Sequence, residues 1–291
     1  MKFGTIEVLP GGKGIGVYKM IQIEIPDDFD LEKTASCGQC FRAKPVDGGL
    51  FRFISREKAV YIRKVGEHQF LVSCNEDEWR ESWARYFDVD RSYRNLYYEE
   101  REKHDFVRKA MDCGRGIRIL RQDPWEMLVT FIISQRKSIP AISKTVETLA
   151  LKYGHPIKTD YETVYSFPAP EDMVSASEEE LLECGLGYRA PYVYDAVQKA
   201  LSGSLDLEAI ADYSDEELFH ELQSVHGVGK KVANCICLFG YGRMSRVPVD
   251  VWISRAVEED CCGEDPFGLF EGNAGIVQQY VFYYMKNAKA I

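Results

Sequence analysis

The sequence has no apolar run of the roughly 18 residues that a membrane-spanning helix requires. Its first residues, MKFGTIEV, also lack the basic and then apolar pattern of a secretory signal. The 291 residues are 45% hydrophobic, which is enough for one large core or two smaller ones. We therefore expect a soluble, cytoplasmic protein without a membrane partner.

Cysteine pairs with the spacing of a metal site are also scarce. Of the nine cysteines, only Cys37 and Cys40 form a C-x-x-C pair, and no second pair lies at zinc-finger spacing. Cys40 lies in a segment that alternates between polar and apolar residues, which is more typical of a strand than of a metal-binding loop. The pattern therefore predicts reduced thiols and no cysteine-bound metal.

Basic residues are also fewer than acidic ones. The chain has 36 Lys and Arg against 46 Asp and Glu, which gives a formal net charge of −10. This balance argues against a protein that coats nucleic acid through bulk electrostatics. The acidic residues cluster in EIPDDFD, NEDEWRE, YEERE and SEEELLE, away from the motifs described below. Those motifs are flanked by Arg115, Arg118, Arg121, Arg136, Lys137, Arg189, Lys230 and Arg243. A local basic face on an acidic body is therefore expected.

Two types of periodicity divide the chain. Residues 16–74 alternate between apolar and polar side chains, with turn signals at Asp47-Gly48-Gly49 and Gly66-Glu67, which favours an antiparallel sheet. From about residue 76 onward the apolar residues have helical spacing. The sequence thus predicts an α+β protein, with an N-terminal antiparallel β domain over residues 1–110 and a helical domain over residues 111–291.

A glycine-containing hairpin is predicted within residues 214–240. Ser214 and Glu217 form a capping box at the start of one helix, and Gly227 and Gly229 follow where the chain must reverse. A second helix then begins, with apolar residues at helical spacing. Backbone N–H groups at such a turn can bind a phosphate oxygen without reading the DNA sequence. The hairpin is therefore interpreted as a clamp on the DNA backbone.

Lys231 and Asp250 are the candidate catalytic residues. Lys231 lies one turn before Cys235 on the second helix, at the edge of its apolar face. An unprotonated amine is a nucleophile, and shielding from water favours that form. From the residues alone, Lys231 is equally well a surface lysine, as its neighbour Lys230 shows. Asp250 is also a good N-cap for the segment VWISRAVEE that follows it.

The hairpin, Lys231 and the VPVD segment that ends at Asp250 resemble the helix-hairpin-helix (HhH-GPD) DNA glycosylase superfamily, and within it the lysine-bearing, bacterial-type 8-oxoguanine branch. Similar segments follow in the same order along nearly the whole chain: GQCFR (38–42), YFDVD (86–90), GIRILRQDPWEMLVTFIIS (116–134), CGLGYRAPYV (184–193) and AGIVQQYVFYY (274–284). The resemblance implies a TATA-binding-protein-like N-terminal sheet domain and a two-lobed, all-helical glycosylase domain. The substrate would lie between the lobes.

The resemblance also implies the chemistry of base-excision repair. Lys231 would attack C1′ of the sugar that carries 8-oxoguanine, form a Schiff base with the opened sugar, and allow β-elimination of the 3′ phosphate, which is an AP lyase step. Asp250 would stabilise positive charge at C1′ as the glycosidic bond breaks. The implied partner is duplex DNA containing 8-oxoguanine, bound by a monomer that joins the nucleoid when it acts.

Four residues match the family's contacts with the flipped-out base. Gly38 matches the position whose backbone carbonyl accepts the N7–H of 8-oxoguanine, and Gln278 the glutamine at the Watson–Crick edge. Phe282 and Cys235 match the residues that stack on the two faces of the base. From the residues alone, simpler interpretations are a strand turn for Gly38, solvent exposure for Gln278, a core aromatic for Phe282 and a buried helix cysteine for Cys235.

Further positions match the family's contacts with the DNA around the lesion. Tyr188 matches an intercalating tyrosine, although a turn tyrosine that caps the core is the simpler interpretation. Arg189 matches an arginine that reads the base opposite the lesion. The remaining DNA-binding candidates are Arg136 and, within the hairpin, Gly227, Gly229 and Lys230.

The chain departs from the family at three positions. Arg136 stands where the family usually has an asparagine that fills the hole left by the flipped base, and it could fill that hole or bind phosphate. Ala141 stands where the family has a second opposite-base arginine, which points to a relaxed choice of opposite base. Trp252 replaces the histidine that eukaryotic members have two residues after the aspartate, so the pocket or phosphate contact there must differ.

The resemblance implies that no cofactor is needed. Iron–sulfur members of the superfamily carry a C-terminal loop with four cysteines, whereas this chain has only Cys261 and Cys262 there. The family's hairpin often binds a structural cation through backbone carbonyls, and the matching carbonyls here belong to Gln223, Val225 and Val228. We therefore expect no iron–sulfur cluster, and a monovalent or divalent cation at the hairpin at most.

Two other functions agree with these motifs. One is a glycosylase for alkylated or other damaged purines that retains the lysine, which a panel of damaged bases would distinguish. The other is a non-catalytic helix-hairpin-helix protein, whose binding to duplex DNA would not change on Lys231→Gln and which would form no product.

Overall fold

The computed structural model describes residues 7–10 and 17–287, with side chains from Lys19 onward. Its N-terminal part is an antiparallel six-stranded sheet in the order β1-β2-β6-β5-β4-β3. The strands are β1 (Glu7–Pro10), β2 (Val17–Glu24), β3 (Lys44–Pro45), β4 (Leu50–Ser55), β5 (Lys58–Lys64) and β6 (Gln69–Val72). The alternating pattern over residues 16–74 thus predicted the sheet correctly.

Thirteen α-helices are formed by the residues that the structure describes. They are α1 (Leu31–Ser36), α2 (Glu76–Glu78), α3 (Ala84–Tyr86), α4 (Tyr93–Glu100), α5 (Asp105–Gly114), α6 (Pro124–Ile133), α7 (Ile139–Tyr153), α8 (Glu178–Glu183), α9 (Ala190–Leu201), α10 (Asp215–Leu222), α11 (Lys230–Phe239), α12 (Val251–Asp260) and α13 (Ala274–Asn287). Not one of them is both long and apolar enough to cross a membrane. The α+β architecture is confirmed, whereas the boundary at residue 110 stays a prediction.

Aromatic packing covers one face of the sheet. The ring of Phe53 on β4 lies 5.0 Å from that of Phe87, and the ring of Phe70 on β6 lies 5.1 Å from that of Phe29. Phe53 and Phe70 are fully buried, because alternate residues of a strand point to the same face. The sheet therefore has its own core. A second and larger core lies among the helices, where every residue of α6 from 125 to 133 is buried.

The structure corrects two details of the expected secondary structure. Cys40 is not a strand residue: it lies in the irregular loop that follows α1. The alternation of polar and apolar residues suggested a strand with one solvent-exposed face. The polar residues Gln39 and Arg42 are instead buried, with hydrogen bonds inside the protein. The helical part also contains an unpredicted two-stranded hairpin, β7 (Pro156–Lys158) and β8 (Thr163–Tyr165). Strands of three residues are too short to show a period of their own.

A fully buried arginine joins several segments near the boundary of the two parts. Arg118 lies between α5 and α6, and its guanidinium donates to Asp27 Oδ2 at 2.8 Å, Asp88 O at 2.7 Å and Asp28 O at 3.1 Å. Its charge also lies 4.5 Å from the ring centroid of Tyr93. A buried charge is stable only when it is paired and hydrogen-bonded in this way. Arg118 thus fixes the segment that leads from the sheet into α6.

Replacement of Arg118 tests how strongly this junction stabilises the protein. Arg118→Met leaves the carboxylate of Asp27 and several carbonyls without their buried partner, so we expect the free energy of unfolding to fall by about 3–5 kcal/mol. Chemical denaturation measures the change. Arg108→Met is the control, because its ion pairs with Glu102 and Asp105 are exposed and should contribute at most about 1 kcal/mol. Equal losses in the two variants would contradict this account of Arg118.

Candidate active site

A cavity of about 490 Å³ opens where the loop after α1 meets the helical part of the chain. Its walls are formed by this loop, the α6–α7 connection, α11, the start of α12, and α13. Seven of the predicted site residues line it: Gly38, Arg136, Lys231, Cys235, Asp250, Gln278 and Phe282. The other five, which are Tyr188, Arg189, Gly227, Gly229 and Lys230, lie outside the cavity lining.

Gly38 has a conformation and a packing that only glycine suits. Its φ of +85° lies in the left-handed region, which disfavours side chains. A Cβ atom built on Gly38 would lie 3.1 Å from Cε1 of Phe282 and 3.5 Å from Cδ1 of Ile139. The backbone of Gly38 therefore lies directly against the cavity wall.

Buried amides hold the Gly38 loop from both sides. Gln39 donates through Nε2 to the Arg118 carbonyl at 2.7 Å and accepts from the Leu120 N–H through Oε1 at 2.8 Å. On the other side, Gln279 Nε2 on α13 donates to the Cys37 carbonyl at 2.7 Å. Gly38 therefore lies between two anchored neighbours, and its position in the cavity is fixed by hydrogen bonds.

Lys231 is the second residue of α11, and its amine faces the cavity. The Nζ atom lies 5.1 Å from the ring centroid of Phe131, and Cys235, four residues later on the same helix, lines the same cavity. Burial raises the pKa of the Cys235 thiol, although the Lys231 amine beside it has the opposite effect. Cys235 therefore stays a neutral thiol at physiological pH and does not compete with Lys231 as a nucleophile.

Asp250 is the N-cap of α12, as the sequence predicts, and it lines the cavity at the same time. Its Oδ1 accepts hydrogen bonds from the N–H groups of Trp252 and Ile253, each at 3.0 Å. These bonds fix the carboxylate at the helix start, where the helix dipole favours negative charge. Cys235 lines the same cavity, and the charge of Asp250 adds slightly to the raised pKa of its thiol. Capping and a role in the cavity are therefore compatible.

Gln278 and Phe282 lie one turn apart on α13 and share the face that borders the cavity. Gln278 is 3% exposed, and its Oε1 has no hydrogen-bond partner among the described residues. A buried amide oxygen without a partner is costly, so a partner from a ligand is the natural complement. Phe282 is half-buried and provides a flat apolar surface beside Gly38.

The hairpin between α10 and α11 lies next to the cavity. The capping box of Ser214 and Glu217 is formed as predicted. Gly227 has a φ of +82°, and a Cβ atom there would lie 2.4 Å from the ring of Tyr192. Gly229 caps α11 without a side-chain hydrogen bond, so the first N–H groups of α11 have no capping side chain within the described residues. These N–H groups are available for an anion.

Tyr188 and Arg189 are connected to the cavity edge through Gln135. The Tyr188 hydroxyl donates to the Gln135 carbonyl at 3.3 Å, and the Arg189 guanidinium donates to the same oxygen. Arg189 is buried and lies 4.3 Å from the Tyr188 ring centroid, whereas the Tyr188 side chain is 51% exposed. Gln135 in turn donates to the Gly227 carbonyl at 3.1 Å. The exposed tyrosine, the hairpin and the cavity edge are thus joined by hydrogen bonds.

Of the three positions at which the chain departs from the family, two line the cavity. Arg136 is exposed at the cavity lining with a φ of +50°, a left-handed conformation that is uncommon outside glycine and asparagine. Trp252 also lines the cavity, and Ala141 does not. Arg136 and Trp252 are therefore the substitutions that change the surface of the cavity itself.

Sequence reasoning missed three residues of this region. Gln39 and Gln279 gave no local signal, because their partners lie 79 and 242 positions away in the sequence. Lys286, which also lines the cavity, did have a signal. It follows Phe282 by four residues, the same spacing that links Phe282 to Gln278.

The candidate metal ligands of the chain are the backbone carbonyls of the hairpin. Over the part of the chain that it describes, no group of three or more His, Cys, Asp or Glu side chains is placed to hold a metal ion. The carbonyls proposed for a cation lie in the α10–α11 turn, and that of Val225 already accepts the N–H of Val228 at 3.0 Å. The cation site at the hairpin stays a prediction.

Two family models match the chain. Residues 21–128 match the 8-oxoguanine DNA glycosylase N-terminal domain, and residues 129–265 match the HhH-GPD superfamily of base excision DNA repair proteins. The two matched segments are adjacent in the sequence and together span residues 21–265. They include Gly38, Lys231 and Asp250, whereas Gln278 and Phe282 lie beyond them.

The names of two curated relatives combine a glycosylase activity with a lyase activity. The N-glycosylase/DNA lyase of Saccharomyces cerevisiae is 34% identical over 219 residues, which are 69% of this chain and 58% of the yeast protein. A probable N-glycosylase/DNA lyase of Methanothermobacter thermautotrophicus is 30% identical over 259 residues, 78% of this chain and 81% of that protein. The match thus spans less than two thirds of the yeast protein's length.

Solved structures resemble the chain over almost its full length. The 8-oxoguanine glycosylase/lyase of Clostridium acetobutylicum in its apo form is 35% identical, with a TM-score of 0.87, over 98% of this chain and 100% of that one. Its complex with double-stranded DNA containing cytosine opposite 8-oxoguanine has a TM-score of 0.87 at 32% identity, over 99% of this chain and 100% of that one. The chain therefore belongs to the 8-oxoguanine DNA glycosylase family within the HhH-GPD superfamily of base excision DNA repair proteins.

Proposed function

We propose that this chain excises 8-oxoguanine from duplex DNA and then cuts the abasic strand by lyase chemistry. The observation that carries the proposal is the convergence of Lys231, Gly38 and Gln278 on one cavity of about 490 Å³. Pockets of this size are typical of sites that bind small organic molecules. A base within duplex DNA must leave the stack to enter such a site. The cavity thus fits a flipped-out base with an amine beside its sugar.

The cavity has a suitable group for each part of the base. Phe282 and Cys235 both line the cavity, and in this proposal each stacks on one face of the flat base. The unpartnered Oε1 of Gln278 accepts a hydrogen bond from the Watson–Crick edge. The carbonyl of Gly38 accepts the N7–H that 8-oxoguanine has and guanine lacks. In this proposal the lesion is recognised by an acceptor that guanine would leave unpaired, which gives strong discrimination.

Lys231 performs the covalent chemistry. Its unprotonated amine attacks C1′, the bond between C1′ and N9 breaks, and the electron pair leaves with the base, which takes up a proton. The attached nitrogen then gives up one proton, the bond between C1′ and O4′ breaks, and O4′ takes up a proton, which leaves a protonated Schiff base between Lys231 and C1′. Removal of a C2′ proton then expels the 3′ phosphate. Each step uses the same amine.

Asp250 acts through its charge. Its carboxylate is held by two N–H donors at 3.0 Å and faces the same cavity as Lys231. Positive charge develops at C1′ while the glycosidic bond breaks, and a fixed carboxylate stabilises it most effectively where water is excluded. The hydrogen bonds to α12 keep this carboxylate in place without a reorganisation cost during the reaction.

The DNA around the lesion is held by the hairpin and the neighbouring turns. The N–H groups at Gly227, Gly229 and Lys230 bind the backbone, as the uncapped start of α11 allows. Exposed Tyr188 enters the base stack, and Arg189, whose guanidinium lies 4.3 Å from the Tyr188 ring centroid, reads the base opposite the lesion. Arg136 fills the space left by the flipped base or binds phosphate, and Ala141 leaves the opposite base less restricted. Cytosine is therefore not the only opposite base expected.

The cellular setting and the cation belong to the same proposal. The chain acts as a cytoplasmic monomer that associates with the nucleoid during repair, and it requires no cofactor. The carbonyls of Gln223 and Val228, with that of Val225, hold a structural cation at the hairpin when DNA is bound. Such a cation would bring positive charge to the turn that contacts phosphate.

The central test compares base excision and strand cutting by the Lys231→Gln variant with those of the wild type. We expect single-turnover excision and strand cutting on duplexes with 8-oxoguanine to fall by about 10³-fold or more, because the nucleophile is lost. Duplexes with each of the four bases opposite the lesion give the opposite-base preference in the same assay. Lys109→Gln is the matched control, since Lys109 is exposed on α5 and lines no part of the cavity. It should retain the wild-type rate.

Three outcomes would contradict the proposal. Equal activity in wild type and Lys231→Gln would remove the amine from the mechanism. Excision of alkylated purines without excision of 8-oxoguanine would assign the chain to another class of damage. Binding to duplex DNA without any product, unchanged in Lys231→Gln, would indicate a non-catalytic DNA-binding protein.

A second prediction concerns Gly38. Gly38→Ala and Gly203→Ala both place a side chain at a positive φ, +85° and +73°, so each should lower stability by about 1–2 kcal/mol. Only the new Cβ at position 38 meets the cavity wall, whereas nothing lies within 4 Å at position 203. We expect affinity for 8-oxoguanine duplexes to fall about tenfold or more in Gly38→Ala alone, as measured by fluorescence anisotropy. A similar loss in Gly203→Ala would show that strain, not the cavity, is responsible.

A further inference from the structure

Helix α13 presents a third residue to the cavity in line with the two that the proposed function uses. Gln278, Phe282 and Lys286 follow at intervals of four residues, and all three line the cavity. Residues at this spacing form one stripe along a helix, here about 12 Å long at 1.5 Å per residue. Lys286 therefore lies at the end of the stripe opposite to Gln278.

The amine of Lys286 lies near an aromatic ring, but its hydrogen-bond donors have no partner among the described residues. It is half-buried, and its Nζ lies 6.0 Å from the ring centroid of Phe282. No hydrogen bond or ion pair joins it to any other residue within 19–287. By contrast, the nearby Lys137 amine donates to Thr145 Oγ1 and the Gly185 carbonyl, each at 2.6 Å. Lys286 thus differs from Lys137 in having its donors available.

The environment of Lys286 places it at the Gly38 end of the cavity. Burial lowers the pKa of the Lys286 amine, and the nearby thiol of Cys37 has a smaller opposing effect. Cys37 immediately precedes Gly38, whose missing Cβ would lie 3.1 Å from Phe282. Phe282 thus borders both the Lys286 amine, at 6.0 Å from its ring centroid, and the backbone of Gly38.

A base stacked on Phe282 has a defined direction along this stripe. With its Watson–Crick edge at Gln278, the opposite end of the purine, which carries N7 and C8, points toward Gly38 and Lys286. Guanine has a C8–H at that end. The lesion 8-oxoguanine has a carbonyl oxygen there instead, and a carbonyl oxygen accepts a hydrogen bond from an ammonium group.

We propose that the Lys286 ammonium group donates a hydrogen bond to the C8 oxygen of 8-oxoguanine, so that Lys286 is a second determinant of lesion specificity. This inference rests on the proposed function. The Gly38 carbonyl detects the N7–H, and Lys286 detects the adjacent oxygen. With guanine in the cavity, the ammonium would face a C–H group and lose its contact with water without a replacement, which disfavours guanine.

Binding measurements with Lys286→Met test this assignment. Methionine has a similar length and flexibility but no charge. The measurements use the Lys231→Gln background, which prevents turnover, and three duplexes that differ at one position: 8-oxoguanine, guanine, or a tetrahydrofuran abasic analogue. Salt concentration is held constant because DNA affinity depends on it. Lys109→Met in the same background is the control for loss of one positive charge.

The expected result is specific to the lesion. Lys286→Met should lower affinity for the 8-oxoguanine duplex by about 10- to 100-fold, the range for a charge-assisted hydrogen bond. Affinity for the abasic analogue, which has no base, should be unchanged. Lys286→Arg should recover part of the lost affinity, since it retains a positively charged donor. Lys109→Met should leave all three affinities unchanged.

Other results would overturn the inference. An equal loss on the abasic analogue would show that Lys286 binds the DNA backbone, and no loss on any duplex would show that it does not contact the substrate. Thermal unfolding of each variant tells a binding defect from a folding defect. If the Lys231→Gln protein itself does not prefer 8-oxoguanine to guanine, the proposed function fails first. The two failures are therefore distinguishable.

Discussion

Two buried glutamine amides hold the loop of residues 37–40 against helix α13, and the shape of the cavity depends on them. Gln39 anchors the loop to the segment before α6, and Gln279 anchors it to α13 with a hydrogen bond of 2.7 Å to the Cys37 carbonyl. Both side chains are buried, so loss of either bond would leave an unpaired polar group at a cost of about 1–3 kcal/mol. Because Gly38 lies between these anchors, its backbone is positioned before any DNA arrives. A site that is organised in advance loses less free energy when it binds its substrate.

The start of α11 joins DNA binding to catalysis. Gly229 caps the helix without a side chain, which leaves N–H groups for a phosphate, and Lys231 follows two residues later with its amine in the cavity. A rigid helix therefore fixes the distance between the bound backbone and the nucleophile. Gln135 extends this arrangement, because it bonds to the Gly227 carbonyl and accepts from Tyr188. Displacement of the hairpin would thus also move the amine and the exposed tyrosine.

Local features were predictable from the sequence, and long-range ones were not. The alternating strands, the capping box at Ser214 and the cap at Asp250 all formed as expected. Each cap depends on residues within four positions, and the alternation of a strand depends on its own residues. The convergence of Gly38, Lys231 and Gln278 followed only from the family resemblance. The anchoring of Gln39 had no local signal and was missed, and its burial also made the strand assignment of Cys40 wrong. Lys286 was visible from its spacing but was not recognised, because a lysine near the end of a helix is ordinarily solvent-exposed.

The most direct test of the chemistry is to identify the amine that bonds to the sugar. Borohydride added during reaction with an 8-oxoguanine duplex reduces the Schiff base to a stable bond, and digestion followed by mass spectrometry locates the modified lysine. The cavity contains two other lysines, at positions 137 and 286, so the result is not determined by the presence of an amine alone. A single adduct on Lys231 is the expected result. An adduct on either of the other lysines, or excision that proceeds with no adduct at all, would contradict the assignment of Lys231 as the nucleophile.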